Sequence, residues 1–156
     1  MTGRKDRTHT ALVKYDIRLN NMAFTGNFTC NSFKTALLNG EVDFSAGVFK
    51  LALYTNSASL NENTSVYTSD GEVVAVGYTA GGDVLTPSVA ALSGVSFVSF
   101  EDISWSGAIT ARGALIYKDG GTAVCVLDFG SDKISATTFT VEFPPATNTS
   151  AILRLN

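Results

Sequence analysis

The most constraining stretch of this sequence is Thr110-Ala111-Arg112-Gly113-Ala114-Leu115-Ile116-Tyr117. It is a nearly continuous apolar run, closed by Lys118-Asp119-Gly120-Gly121 and answered by a second apolar run over residues 123–129. A short apolar run bounded by turn residues reads as a strand covered on both faces. Asp-Gly and Gly-Gly supply the positive φ angles of a tight reversal, so the two runs make the strongest hairpin signal in the chain. A hairpin covered on both faces needs other elements above and below it.

The remaining pattern supplies them as further strands. Residues 47–54 alternate Phe49, Leu51 and Leu53 on one side, with Lys50 facing out. Residues 72–76 predict a strand stopped by Gly77, and Val66 with Tyr67 a short edge. Residues 79–83 form a turn cluster. Residues 84–86 lead to Pro87, which cannot donate to a ladder. Val95, Phe97 and Ser99 oppose Ser96, Val98 and Phe100, and Ile103 and Trp105 follow at spacing two. Ser131-Asp132 predicts another turn after the hairpin. Residues 137–143 alternate up to Pro144-Pro145, and residues 151–155 close the chain.

One segment breaks this pattern. Residues 31–39 carry Phe33, Ala36 and Leu37 at helical spacing, with Asn31 or Ser32 as the cap and Gly40 just past the end. A helix of about two turns must be held by tertiary packing. About eight to ten short strands with frequent turns predict an all-β fold, an antiparallel β-sandwich or jelly-roll-like body with one short N-terminal helix. Residues 22–156 form that single domain, and residues 1–21 an extended arm.

The arm differs from the body in charge. It holds Arg4, Lys5, Arg7, Lys14 and Arg18 against Asp6 and Asp16, a net +3, while the rest carries six basic and twelve acidic side chains, a net −6. Such asymmetry fits an interaction tail, with a solvated tail as the alternative. Residues 11–13 and the trio Tyr15, Ile17 and Leu19 offer strand-like alternation for docking on a neighbour, so Arg4, Lys5, Arg7, Lys14, Tyr15 and Arg18 are the candidate protein-interaction residues. Five dispersed cations with two acids among them make a poor phosphate track, which disfavours nucleic acid. Met22-Ala23-Phe24 would also make a natural beginning, with the arm as upstream sequence. No window is apolar enough to span a membrane, and the first residues lack the apolar stretch of a signal peptide.

Residues that carry chemistry are sparse. His9, in the arm, is the single histidine. Zinc sites need clustered Cys and His, and only Cys30 and Cys125 are present. Cys125 lies in an apolar run and reads as a small buried hydrophobe; a Cys30–Cys125 bridge is the alternative. Glu41 with Asp43, Asp70 with Glu72, and Glu101 with Asp102 read as solvated turn residues rather than calcium ligands or a glycosidase pair. Gly81-Gly82 and Gly120-Gly121 are turn glycines, not a phosphate loop. Trp105, Tyr54, Tyr78 and Tyr117 fit a core or interface better than a sugar platform. Arg112, if buried, needs a carboxylate partner such as Asp128 or Glu142. The expectation is a protein that is not an enzyme, without cofactor or metal.

Several segments carry a resemblance. They are residues 30–40 (CNSFKTALLNG), 49–55 (FKLALYT), 77–82 (GYTAGG), 111–117 (ARGALIY) and 126–133 (VLDFGSDK). Over roughly residues 22–155 the chain resembles a family of small tailed-bacteriophage virion proteins. The resemblance implies a structural protein, a capsid decoration or cement protein on the outside of the shell. Its partners would be the major capsid protein and copies of itself, as a trimer or dimer. It would be made in the host cytoplasm and carried on the virion. A tail or fibre receptor-binding module is the alternative.

Overall fold

The computed structural model describes residues 24–156. The arm, with Arg4, Lys5, Arg7, Lys14, Tyr15 and Arg18, the histidine His9, and the boundary at residues 21–22 lie outside the described residues. Among the described residues the chain is all-β and antiparallel, with one short helix.

The elements run β1 (Phe28–Thr29), α1 (Asn31–Leu38), β2 (Phe49–Tyr54), β3 (Asp83–Leu85), β4 (Pro87–Leu92), β5 (Val95–Phe100), β6 (Ile103–Ser106), β7 (Thr110–Lys118), β8 (Ala123–Ile134), β9 (Thr138–Val141) and β10 (Leu153–Leu155). One sheet has the order β1-β8-β7-β2-β3, a second β10-β5-β4, and a third pairs β6 with β9.

β7 takes the place its composition demands. It lies between β8 and β2, and every residue from Ala111 to Tyr117 is buried. Opposed residues of antiparallel neighbours share a face. Leu51 and Leu53 therefore lie with Ile116 and Ala114 on one face, while Ala52, Leu115 and Val126 lie on the other. Over the first face Phe44 stacks on Phe49 at 4.5 Å and meets Phe100 of β5 edge-on at 6.2 Å. Over the second, Tyr67 stacks on Tyr117 at 5.0 Å. The hairpin turn closes with Gly121 N–H donating to Lys118 O, and Gly120 takes φ +66°. Gly113 has a separate reason to be glycine: a Cβ there would run into the ring of Phe24 and the carbonyl of Leu127. Phe24 is fully buried against this gap.

Four local expectations need correction. Residues 72–76 do not form a strand; only Glu72 makes a bridge, to Tyr54. Its carboxylate is drawn inward, Val73 stays buried beside it, and Val74 and Val76 swing out. The turn expected at Ser131-Asp132 is absent, because β8 continues and pairs Lys133 with Ala111 and Ile134 with Thr110. Gly130, at φ +79°, absorbs the bend within the strand. The helix is capped from the Cys30 position with no side-chain bond. Ser32 instead donates to Ala123 O at 3.2 Å, and Asn31 to Asn63 Oδ1 at 3.1 Å.

The fourth correction is an addition. Residues 87–92 form β4, which the sequence pattern did not single out. β4 joins β5 through Ser93 (φ 52°) and Gly94 (φ 81°), both in the left-handed region. Two successive positive φ angles match the twist of a two-residue hairpin. The expected last strand narrows to β10, and residues 137–143 narrow to β9.

Candidate functional site

The loop between β2 and β3 is held by a buried carboxylate. Glu72 Oε2 accepts the Tyr67 hydroxyl at 2.6 Å; Oε1 accepts the Tyr78 hydroxyl at 2.6 Å and Gly81 N–H at 2.7 Å. Tyr78 Oη accepts Leu53 N–H at 2.9 Å, and Tyr117 donates to Gly81 O at 2.7 Å. Tyr54 completes the group by donating to Thr68 O at 2.5 Å. Both oxygens of Glu72 are thus satisfied, which is the condition for burying such a group. Burial, and then the bond to Glu72, pushes the Tyr67 and Tyr78 phenols well above their ordinary range. Burial raises Tyr54 likewise and pushes Tyr117 up to about 12. The expectation that Glu72 is a solvated turn residue is therefore wrong.

This staple displays two apolar side chains. Val73 N–H donates to Leu53 O at 2.9 Å, and Tyr78 N–H to Ala75 O at 3.2 Å. Gly71 and Gly77, both at positive φ, press against the backbones of Ala58 and Ser106, where a Cβ would collide. Between these fixed points Val74 and Val76 project outward, 98% and 93% exposed.

A second apolar surface follows in sequence. β3 is the free edge of one sheet and β4 the free edge of another, with Thr86 alone between them. Asp83 is the only charged residue in this stretch, and Ser88 to Leu92 are all exposed. Soluble proteins usually guard such edges with charge.

The third surface is a cleft of about 760 Å³ between α1 and the sheet of β4, β5 and β10. Val89, Val98 and Leu153 share the sheet face that forms one wall, by their register. Leu37 and Leu38 of α1 form the other wall. Lys34 and Arg154 are the charged side chains lining it, and no carboxylate side chain does.

Arg112 chooses Asp128 over Glu142. The pair is nearly buried, and the guanidinium lies 5.7 Å from the centre of the Phe24 ring. Asp128 Oδ1 also accepts Gly130 N–H at 2.7 Å, and Asp128 N–H donates to Asn27 Oδ1 at 2.7 Å. This cluster binds residues 24–28 to the central hairpin.

The remaining candidates carry no constellation. Trp105 is buried 5.8 Å from Tyr78, with Nε1 unpaired. Cys30 and Cys125 are free, buried thiols, so the bridge is not formed. Burial pushes Cys30 up to about 11 and Cys125 higher still. Asp43 accepts the Ser45 hydroxyl at 2.6 Å and its N–H at 2.8 Å, which lowers its carboxyl. Asp102 accepts Phe143 N–H at 2.8 Å. Among the described residues no group of three His, Cys, Asp or Glu is placed to hold a metal ion, and no helix is long and apolar enough to cross a membrane.

Sequence reasoning missed Glu72 as an anchor, both valines as display residues, and the cleft. One signal was available: Glu72 lies between Tyr67 and Tyr78 in an otherwise uncharged stretch from residue 71 to 82. No known protein family, curated protein or solved structure matches this chain.

Proposed function

We propose that this chain is a structural protein of a bacteriophage particle, a capsid decoration or cement protein with a β-sandwich, jelly-roll-like body. It binds the outer capsid surface, bridges neighbours and stabilises the shell. Its partners are the major capsid protein and copies of itself, and the basic arm carrying Arg4, Lys5, Arg7, Lys14, Tyr15 and Arg18 contributes contacts to an acidic neighbour. One observation carries the reading: apolar side chains are displayed on a rigid frame, at Val74 and Val76 and along the uncharged strand β4. Contiguous exposed apolar surface on a well-packed domain marks contact between proteins. A receptor-binding module built on Trp105, Tyr54, Tyr78 and Tyr117 is the weaker reading, because all four rings are buried.

The experiment compares particles assembled with and without the chain. Particles that carry it should rupture at a higher temperature, and an affinity tag on the chain should be imaged on the shell. Deletion of residues 1–21 should lower shell occupancy. A tag imaged on the tail, or unchanged rupture temperature, overturns the proposal.

A further inference from the structure

The two apolar features of the body have complementary shapes, one a protrusion and the other a recess. Val74 and Val76 stand on a narrow loop whose ends are fixed by Gly71, Gly77 and the Glu72–tyrosine bonds. Fixing a loop in its binding conformation removes the ordering cost that a mobile loop would meet on association. The cleft between α1 and the β4–β5–β10 sheet is open and apolar, and its volume of about 760 Å³ accommodates both valine side chains. Charge fits the same arrangement. Lys34 and Arg154 line the cleft, while Asp70, exposed, lies four residues before Val74.

We infer that the Val74–Val76 loop of one copy inserts into the cleft of a second copy, between Leu38 of α1 and Val89 of β4. The two surfaces are different parts of one molecule and a single loop enters a single cleft per pair of copies, so the contact is heterologous. It leaves each copy with one loop and one cleft to offer, and successive copies close into a ring or continue as a chain. Asp70 meets the Lys34 and Arg154 side of the partner's cleft. The inference deepens the assembly reading and rests on the part of it that joins the chain to copies of itself.

The test uses the full chain, without shells, in sedimentation velocity over a range of concentrations. Wild-type protein should associate reversibly. Val74→Asp with Val76→Asp should weaken association about tenfold or more, as loss of a central anchor does. Both side chains are almost fully exposed, so the folded body should melt as before. Leu38→Asp, at a residue 88% exposed on the cleft, should weaken it similarly.

Mixing decides the geometry. The double-valine variant keeps an intact cleft and the Leu38 variant an intact loop. Each fails alone, but an equimolar mixture should form one-to-one dimers and stop there. A wild-type chain that stays monomeric, variants that associate like wild type, or a mixture that does not pair would each overturn the inference. A monomeric chain that still raises the rupture temperature of shells would overturn this inference and leave the decoration reading standing.

Discussion

The central β7–β8 hairpin and the outer β4–β5 hairpin are built from similar residues and end in opposite environments. β7 carries alanine, leucine, isoleucine and tyrosine, all buried, and its one buried charge, Arg112, is neutralised by Asp128. β4 carries serine, valine, alanine and leucine with no charge, and from Ser88 onward every residue is exposed. Composition alone does not separate them. Position in the sheet does: β7 has a strand on each side and packed side chains on each face, whereas β4 has one neighbour. Apolar character thus serves cohesion in β7 and lies exposed on β4.

The sharpest way to break this comparison is to unbalance the central hairpin. Asp128→Ala leaves the Arg112 guanidinium buried without its carboxylate and should cost about 3–5 kcal/mol, read by calorimetric or denaturant unfolding. A loss below about 1 kcal/mol would mean that Arg112 finds water instead. Glu72→Gln keeps the shape but removes the charge and one acceptor from three donors. It should cost about 1–3 kcal/mol and loosen the Val74–Val76 loop, visible as faster amide exchange at Gly81.

High pH tests the same cluster by titration. The phenols are raised in the folded state, so their stabilisation is complete below the ordinary value of 10.0 and is lost as pH climbs; for Tyr117 the window runs from 10.0 to about 12. Phenolate absorbance from the described tyrosines should therefore appear together with loss of β-sheet circular dichroism. Separate titration in folded protein would contradict the packing. The thiols make a parallel case, since Cys30 and Cys125 are buried and raised and should react with thiol reagents only as the chain opens.

The smallest effects are expected where nothing is bonded or nothing is covered. Trp105→Phe removes an unpaired buried donor, so loss of packing is partly offset and the change should stay within about 1 kcal/mol. Ala90→Lys on β4 should shift stability by no more than about 0.5 kcal/mol. A large loss there would show that β4 is cohesive after all and erase the distinction between the hairpins.

The central hairpin was legible because its signal is redundant. A covered strand, a glycine turn and a returning apolar run all agree in residues 110–129, and so does the need of Arg112 for an acid. The stretch 72–76 was misread because Val73, Val74 and Val76 have the composition of a strand. What decides its conformation is Tyr67 and Tyr78 binding Glu72, a contact that no local pattern records. β4 escaped notice for the converse reason: a strand without two contrasting faces has no alternation to detect. The cleft was beyond reach, because its walls come from α1 near one end of the chain and β10 near the other.

The ring at residue 24 is fully buried beside the central hairpin. Phe24 is a wedge held by Arg112 and by the missing side chain of Gly113. A cut just behind it would release the wedge and leave a hole beside the central hairpin. Chains severed between Phe24 and Asn27 should therefore melt at a lower temperature than intact ones.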